Sequence, residues 1–257
     1  SSTYGTSVSL GSTAFSQSGL VTGDSISGVT LSYGGANTVA ATVGAGTYTG
    51  AILASTALGS GLSNYAITYV AGNLTIAQAT LTLTPTAKSV NYSGTTLNTA
   101  TYSADTANYS ITGYKNSDTA SNVSLSFTGS LSFTQGGSAA TVRNAGTYGF
   151  AAGTLAITST NSNYQVVLAN TLSNTYVVNP VTVTLSASKT YDGSAIFASS
   201  NSAVTYTVTT GVGSETLGLS GSATANSANV QTVSSLPTTG LSLVNGSGGG
   251  LASNYVL

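Results

Sequence analysis

SNYAITYVAGNLTIAQATLTLTPTAKSVNYSGT, residues 63–95, decides the fold. Thr80-Leu81-Thr82-Leu83-Thr84 alternates hydroxyl and apolar side chains, the period-two pattern of a half-buried strand. Upstream, Thr68-Tyr69-Val70 and Leu74-Thr75-Ile76 flank Ala71-Gly72-Asn73 and read as two strands and a turn. Pro85 and Asn91-Tyr92-Ser93-Gly94 punctuate the residues after that strand. The stretch therefore reads as the end of one β module, a joint of two or three residues, and the start of the next.

Working outward, three landmarks recur in one order. The first is a tyrosine–glycine turn: Tyr4-Gly5, Tyr92-Ser93-Gly94 and Tyr191-Asp192-Gly193. The second is a loop carrying one acid ahead of a strand, with Asp24, Asp118 and Glu215 in equivalent places. The third is Ser-Asn-Tyr at Ser63-Asn64-Tyr65, Ser162-Asn163-Tyr164 and Ser253-Asn254-Tyr255. Copies lie about 90–100 residues apart, the size of a small β domain and far longer than a solenoid coil. Ala-Gly-Thr-Tyr, at 45–48 and 145–148, marks the first two copies only.

Each landmark has a local reading. The glycine of the turn supplies positive φ, while the tyrosine lays its ring on the sheet and keeps its hydroxyl in water. The acid is expected to accept from backbone N–H groups two or three residues on and to cap a short helical turn. Asn opens the late strand that the following Tyr anchors. Tyr4, Gly5, Tyr92, Gly94, Tyr191, Asp192, Gly193, Asp24, Asp118 and Glu215 are thus expected as structural turn and cap positions.

The modules span 1–79, 80–180 and 181–257. The first lacks the strand that opens the other two, and the third lacks the Asn-Leu-Thr-Ile strand that closes the first. The chain reads as cut from a longer repetitive polypeptide, or as one whose neighbours supply the absent strands. Neither joint, 77–79 or 178–180, resembles a flexible linker, so adjacent modules are expected to be stiffly coupled as a rod.

The fold class is all-β: three tandem β-sandwich-like, Ig-like modules. The alternative is a β-grasp-like module with one short helix near Asp24, Asp118 and Glu215. A continuous right-handed β-helix is disfavoured by the repeat length.

Composition excludes several functions. Four Lys and Arg against five Asp and Glu amount to 4% charge, where a soluble surface carries roughly 25–35%. Ser and Thr, about a third of the chain, must form the polar coat instead. Four dispersed cations build no phosphate-tracking patch, so neither nucleic acid nor an anionic membrane is an expected partner. No apolar run reaches the roughly 18–20 residues of a membrane-spanning helix, and no membrane insertion is expected.

Without Cys or His, the usual nucleophile, acid–base and soft-metal sites cannot be assembled. The five acids are scattered, so neither a carboxylate pair nor a calcium loop is visible. No catalytic residue, metal site or cofactor is expected. Lys88 and Lys189 are read as exposed edge-strand lysines that discourage sheet pairing, rather than as cross-linking groups. The N-x-S/T triplets at Asn73, Asn91, Asn108, Asn122 and Asn245 match chance for this composition. Tyr48, Tyr65, Tyr69, Tyr164 and Tyr206 are read as packing residues within strands.

The closing pattern Ser63-Asn64-Tyr65-Ala66-Ile67-Thr68-Tyr69 with Gly72-Asn73-Leu74-Thr75-Ile76, and the loops Gly23-Asp24-Ser25 and Ser117-Asp118-Thr119-Ala120, resemble the MBG module. Lys189-Thr190-Tyr191-Asp192-Gly193-Ser194 with Gly249-Gly250-Leu251-Ala252-Ser253-Asn254-Tyr255 is similar to the YDG module. Both modules are found in large bacterial filamentous-haemagglutinin-like surface exoproteins. The resemblance implies a non-catalytic structural segment of a secreted adhesin or extracellular fibre, at the cell surface or in the biofilm matrix. Its partners would be neighbouring modules of the same polypeptide, homotypic fibre contacts, and host or biofilm glycans. A self-assembling filament subunit with strand complementation between chains is the alternative, and a glycan-binding adhesin domain a weaker one.

Overall fold

A computed structural model describes residues 1–257. The chain is all-β: twenty-three strands in several small sheets, with one six-residue α-helix and three 3-10 turns. It divides into two compact units whose limits do not follow the sequence repeats. The first holds residues 1–84, 109–128 and 155–170, and the second holds 85–108, 129–154 and 171–257.

In the first unit, Gly72–Ala77 pairs parallel with Ser2–Thr3 and antiparallel with Gly46–Ser60, which also pairs with Ser25–Ser32. The fifteen-residue Gly46–Ser60 strand slips register between Tyr48 and Ile52. The left-handed Gly50 (φ 64°) at that point marks a bulge, the usual device for bending a strand between two partners. A second sheet places Ala79–Pro85 between Tyr164–Leu168, to which it is parallel, and Tyr109–Thr112. The predicted alternation is realised there: Ala79, Leu81 and Leu83 are buried, with Leu81 and Leu83 wholly so. One apolar core joins Tyr4, Val39, Leu74 and Ile76 of the first repeat to Ala79, Leu81, Val123 and Tyr164 of the second.

In the second unit a five-stranded sheet runs Ser138–Ala140, Ser132–Gln135, Gly146–Ala151, Thr175–Asn179, Lys88–Asn91. The helix Thr99–Ala104 packs Tyr102 among Phe133, Phe150 and Tyr176, with ring centroids 5.6–6.2 Å away. Asn98 caps it, its side chain accepting from Thr101 N–H at 3.1 Å, an ordinary N-cap. Downstream, Val181–Thr182 runs parallel to Tyr255–Val256, and Thr184–Lys189 pairs with Val204–Thr209. Leu217–Thr224 lies between Ile196–Ala198 and Leu241–Asn245.

Three expectations need correction. Residues 68–70 form no strand, and the strand begins at Gly72 rather than after a turn. No helical segment directly follows Asp24, Asp118 or Glu215 in sequence, so the β-grasp alternative lacks the helix expected there. Lys189 is no exposed guard, because its side chain is 5% exposed and its ammonium sits 2.8 Å from Asp192. Lys88 is exposed on an edge strand, as expected, and its ammonium lies 3.2 Å from Asn108 Oδ1 and over the Tyr102 ring.

Candidate functional site: tyrosine–carboxylate joints

The acids of the second landmark do one job in all three copies, and it is not capping. Each closes a tight turn with its own N–H: Asp24 to Val21 O, Asp118 to Lys115 O, Glu215 to Val212 O, at 2.8–3.1 Å. That turn presents the carboxylate to tyrosine hydroxyls.

Around Asp118, Tyr164 donates to Oδ2 at 2.6 Å and Tyr4 donates to the same oxygen at 3.1 Å. Asn122 Nδ2 donates to Oδ1 at 2.8 Å. Around Glu215, Tyr92 donates to Oε1 at 2.7 Å and Tyr255 to Oε2 at 2.6 Å. The two tyrosines of each joint meet edge to face, both pairs with centroids 5.5 Å apart, at 83° for Tyr4–Tyr164 and 82° for Tyr92–Tyr255. In sequence terms, the tyrosine of one repeat's Tyr-Gly turn meets the acid and the Ser-Asn-Tyr tyrosine of the next repeat.

A second bond accompanies each joint. Ala45 N–H donates to Asn163 Oδ1 and Ala145 N–H donates to Asn254 Oδ1, both at 2.8 Å. These alanines open the Ala-Gly-Thr-Tyr landmark. The landmark's tyrosine braces the loop from within, Tyr48 donating to Gly44 O and Tyr148 to Asn144 O. Asn254 is completely buried and also donates to Asn144 Oδ1 at 3.1 Å.

The electrostatics follow from burial. Glu215 is a buried carboxylate, acceptable only because two phenols and Arg143, at 3.3 Å from Oε1, face it. Burial, and then the carboxylate each one serves, push the phenols up: Tyr164 to about 12, Tyr92 and Tyr255 in the same direction. The hydroxyls of Tyr4 and Tyr92 therefore do not stay in water, contrary to the local reading of the Tyr-Gly turn. The glycines after them keep positive φ, 89° at Gly5, 73° at Gly94 and 74° at Gly193.

The third copies differ. Asp24 accepts from Tyr65 at 2.7 Å, but no second tyrosine reaches it, and Tyr65 is only half-buried. The Val21 N–H acts to lower the Tyr65 pKa, but the Asp24 carboxylate and burial together outweigh it, leaving the phenol raised. Asn64 is exposed, unlike Asn163 and Asn254. Tyr191 is 63% exposed, and its turn is fastened internally: Asp192 accepts from Ser194 N–H and from Lys189, whose ammonium lowers the Asp192 pKa. Asp105 accepts from Ala107 N–H at 2.9 Å, so each of the five acids has a local partner. No group of three or more Asp and Glu is placed to hold a metal ion.

Sequence reasoning singled out the acids and the turn tyrosines but not Tyr164, Tyr255, Asn163, Asn254, Ala45 and Ala145 as their partners. The available signal was co-occurrence: Ala-Gly-Thr-Tyr appears only in copies followed by another Ser-Asn-Tyr.

No curated protein and no solved structure matches the chain. Two family models do. Residues 1–75 match the MBG domain (YGX type) and residues 174–257 match the YDG domain. The chain thus carries an MBG-type module at its start and a YDG-type module at its end, and the tyrosine–carboxylate joints are built from residues of both and of the repeat between them.

Proposed function

We propose that the chain is a non-catalytic structural segment of a secreted bacterial surface adhesin or extracellular fibre, a stiff spacer of tandem β modules. The observation that carries this reading is the joint made twice, two phenols donating to one carboxylate beside an asparagine that accepts from an alanine N–H. A flexible tether keeps no fixed side-chain bonds where repeats meet, whereas a spacer that transmits position needs them. Each of the five acids has a partner in a turn, a joint or a neighbouring lysine, in keeping with a structural role. A hydroxyl coat without cysteine suits a chain that crosses a membrane unfolded and folds outside. Its partners would be further modules of the same polypeptide.

Small-angle scattering of the wild type and of Tyr4→Phe/Tyr92→Phe tests the stiffness. A single sharp maximum dimension is expected for the wild type, with broadening in the variant. A wild type that already scatters as freely jointed segments overturns the reading.

A further inference from the structure

The first repeat holds an open groove of about 1100 Å³. Residues 13–20 form one wall and residues 65–72 the other, with Ile26, Val29 and Ile52 on the floor. Residues 65–71 and 13–20 are in no strand.

The second repeat shows what belongs between such walls. Tyr164–Leu168, which follows Asn163 as Tyr65 follows Asn64, pairs in parallel with Ala79–Pro85. Tyr109–Thr112 lies on that strand's other side. Tyr109 precedes Asp118 by the same nine residues as Phe15 precedes Asp24, so 13–20 is the counterpart of the Tyr109 strand. The filling strand there buries Ala79, Leu81 and Leu83.

A glycine pair marks the slot independently. Gly113 and Gly19 both lie five residues before their acid, both with positive φ, 106° and 87°. A Cβ on Gly113 would strike Thr80 O at 2.2 Å, whereas one on Gly19 meets nothing within 4 Å. The groove also runs into Tyr65, the lining residue that carries the half-made joint to Asp24. It is thus continuous with the surface that forms the full joint in the second repeat.

We infer that this groove is a strand-acceptor site. Its occupant is an uncharged extended segment of Ala-x-Leu-x-Leu type with hydroxyl residues between, running parallel to residues 65–70. The alternation is required because one face must fill an apolar floor while the other meets solvent. The direction is required because Tyr164–Leu168 takes its partner in parallel. Residues 13–20 and 65–71 of the two walls lie outside every strand, so their backbone can take up an incoming strand, as in strand addition at a sheet edge. The inference rests on the modular reading of the chain, since it treats the first and second repeats as one design.

The experiment grafts residues 78–88 directly ahead of Ser1 of the full chain. This sets the grafted leucines at the same distance from Tyr4 as Leu81 and Leu83 stand from Tyr92. A control graft carries Ser at both leucine positions. Amide hydrogen exchange at 65–70 is expected to slow about tenfold or more with the leucine graft and to stay at the wild-type rate with the control. Equal protection by both grafts, or by neither, overturns the inference. So does protection in the ungrafted protein that grows with its concentration, because the occupant would then be a second copy. Scattering on the Tyr4 and Tyr92 variants reports the joints separately, so failure here leaves the spacer reading standing.

Discussion

Replacing Tyr255 by Phe removes one hydroxyl and leaves the ring that packs on Tyr92. The lost bond is 2.6 Å long and serves Oε2 of Glu215, an oxygen with no other hydrogen-bond donor, on a residue only 8% exposed. Bonds to a buried charge contribute about 1.5–3 kcal/mol, and no cavity term is added because the ring stays. At roughly 2–4 °C per kcal/mol for a chain of this size, the melting temperature should fall by about 3–12 °C. Calorimetry at neutral pH reads this directly. Tyr4→Phe is the internal comparison: its bond is 3.1 Å long to an Asp118 that is half-buried and keeps Tyr164 and Asn122, so the loss should be about 1 kcal/mol or less. A double-mutant cycle with Glu215→Gln should return a coupling of about 1–2 kcal/mol. If Tyr255→Phe melts with the wild type, or if Tyr4→Phe costs more, the joint does not work as a buried charge held by phenols.

Alkaline pH attacks the same groups. A phenol raised in the folded state stabilises fully below about pH 10, and this is lost as pH climbs toward the folded value. For Tyr164, at about 12, stability should fall by at most about 1.4 kcal/mol per pH unit across that window; urea midpoints against pH test it, and Tyr164→Phe should flatten the decline. Asn254→Ala strips a wholly buried amide from Ala145 N–H and should cost about 1–3 kcal/mol, whereas Asn64→Ala at the exposed counterpart should be neutral in the same denaturation. Gly113→Ala should destabilise well beyond Gly19→Ala: both pay for positive φ, on the order of 1 kcal/mol, but only Gly113 drives a methyl into Thr80 O. Parallel thermal melts of the two variants separate strain from clash.

The features legible in the chain beforehand were those that repeat locally. Thr80–Thr84 carries its own period, so both its strand character and its buried face can be read from five letters. Positive φ at Gly5, Gly94 and Gly193 is likewise a property of one turn. The joint was hidden because its parts are far apart in sequence: Tyr4 and Asp118 are 114 positions apart, Tyr92 and Glu215 are 123. An acid after a turn has an ordinary local use, and nothing local tells a cap from an acceptor of distant phenols. The longer side chain of Glu215 gives each tyrosine its own oxygen, where Asp118 offers one to both. Lys189 is a separate case, because its partners lie within eight residues of it. Strand position predicts exposure, but Phe197, Asp192 and the carbonyls of Ser194 and Ile196 enclose it.

The joint is asymmetric: one side contributes a turn tyrosine and an alanine N–H, the other an acid and an asparagine. The second repeat carries both sides at once, on Tyr92 and Ala145 for one neighbour and on Asp118 and Asn163 for the other. Such a unit is a link with a hook and an eye, so duplicating its gene segment lengthens the array without inventing a new interface. Copy number can then drift while the fit at every seam is inherited unchanged.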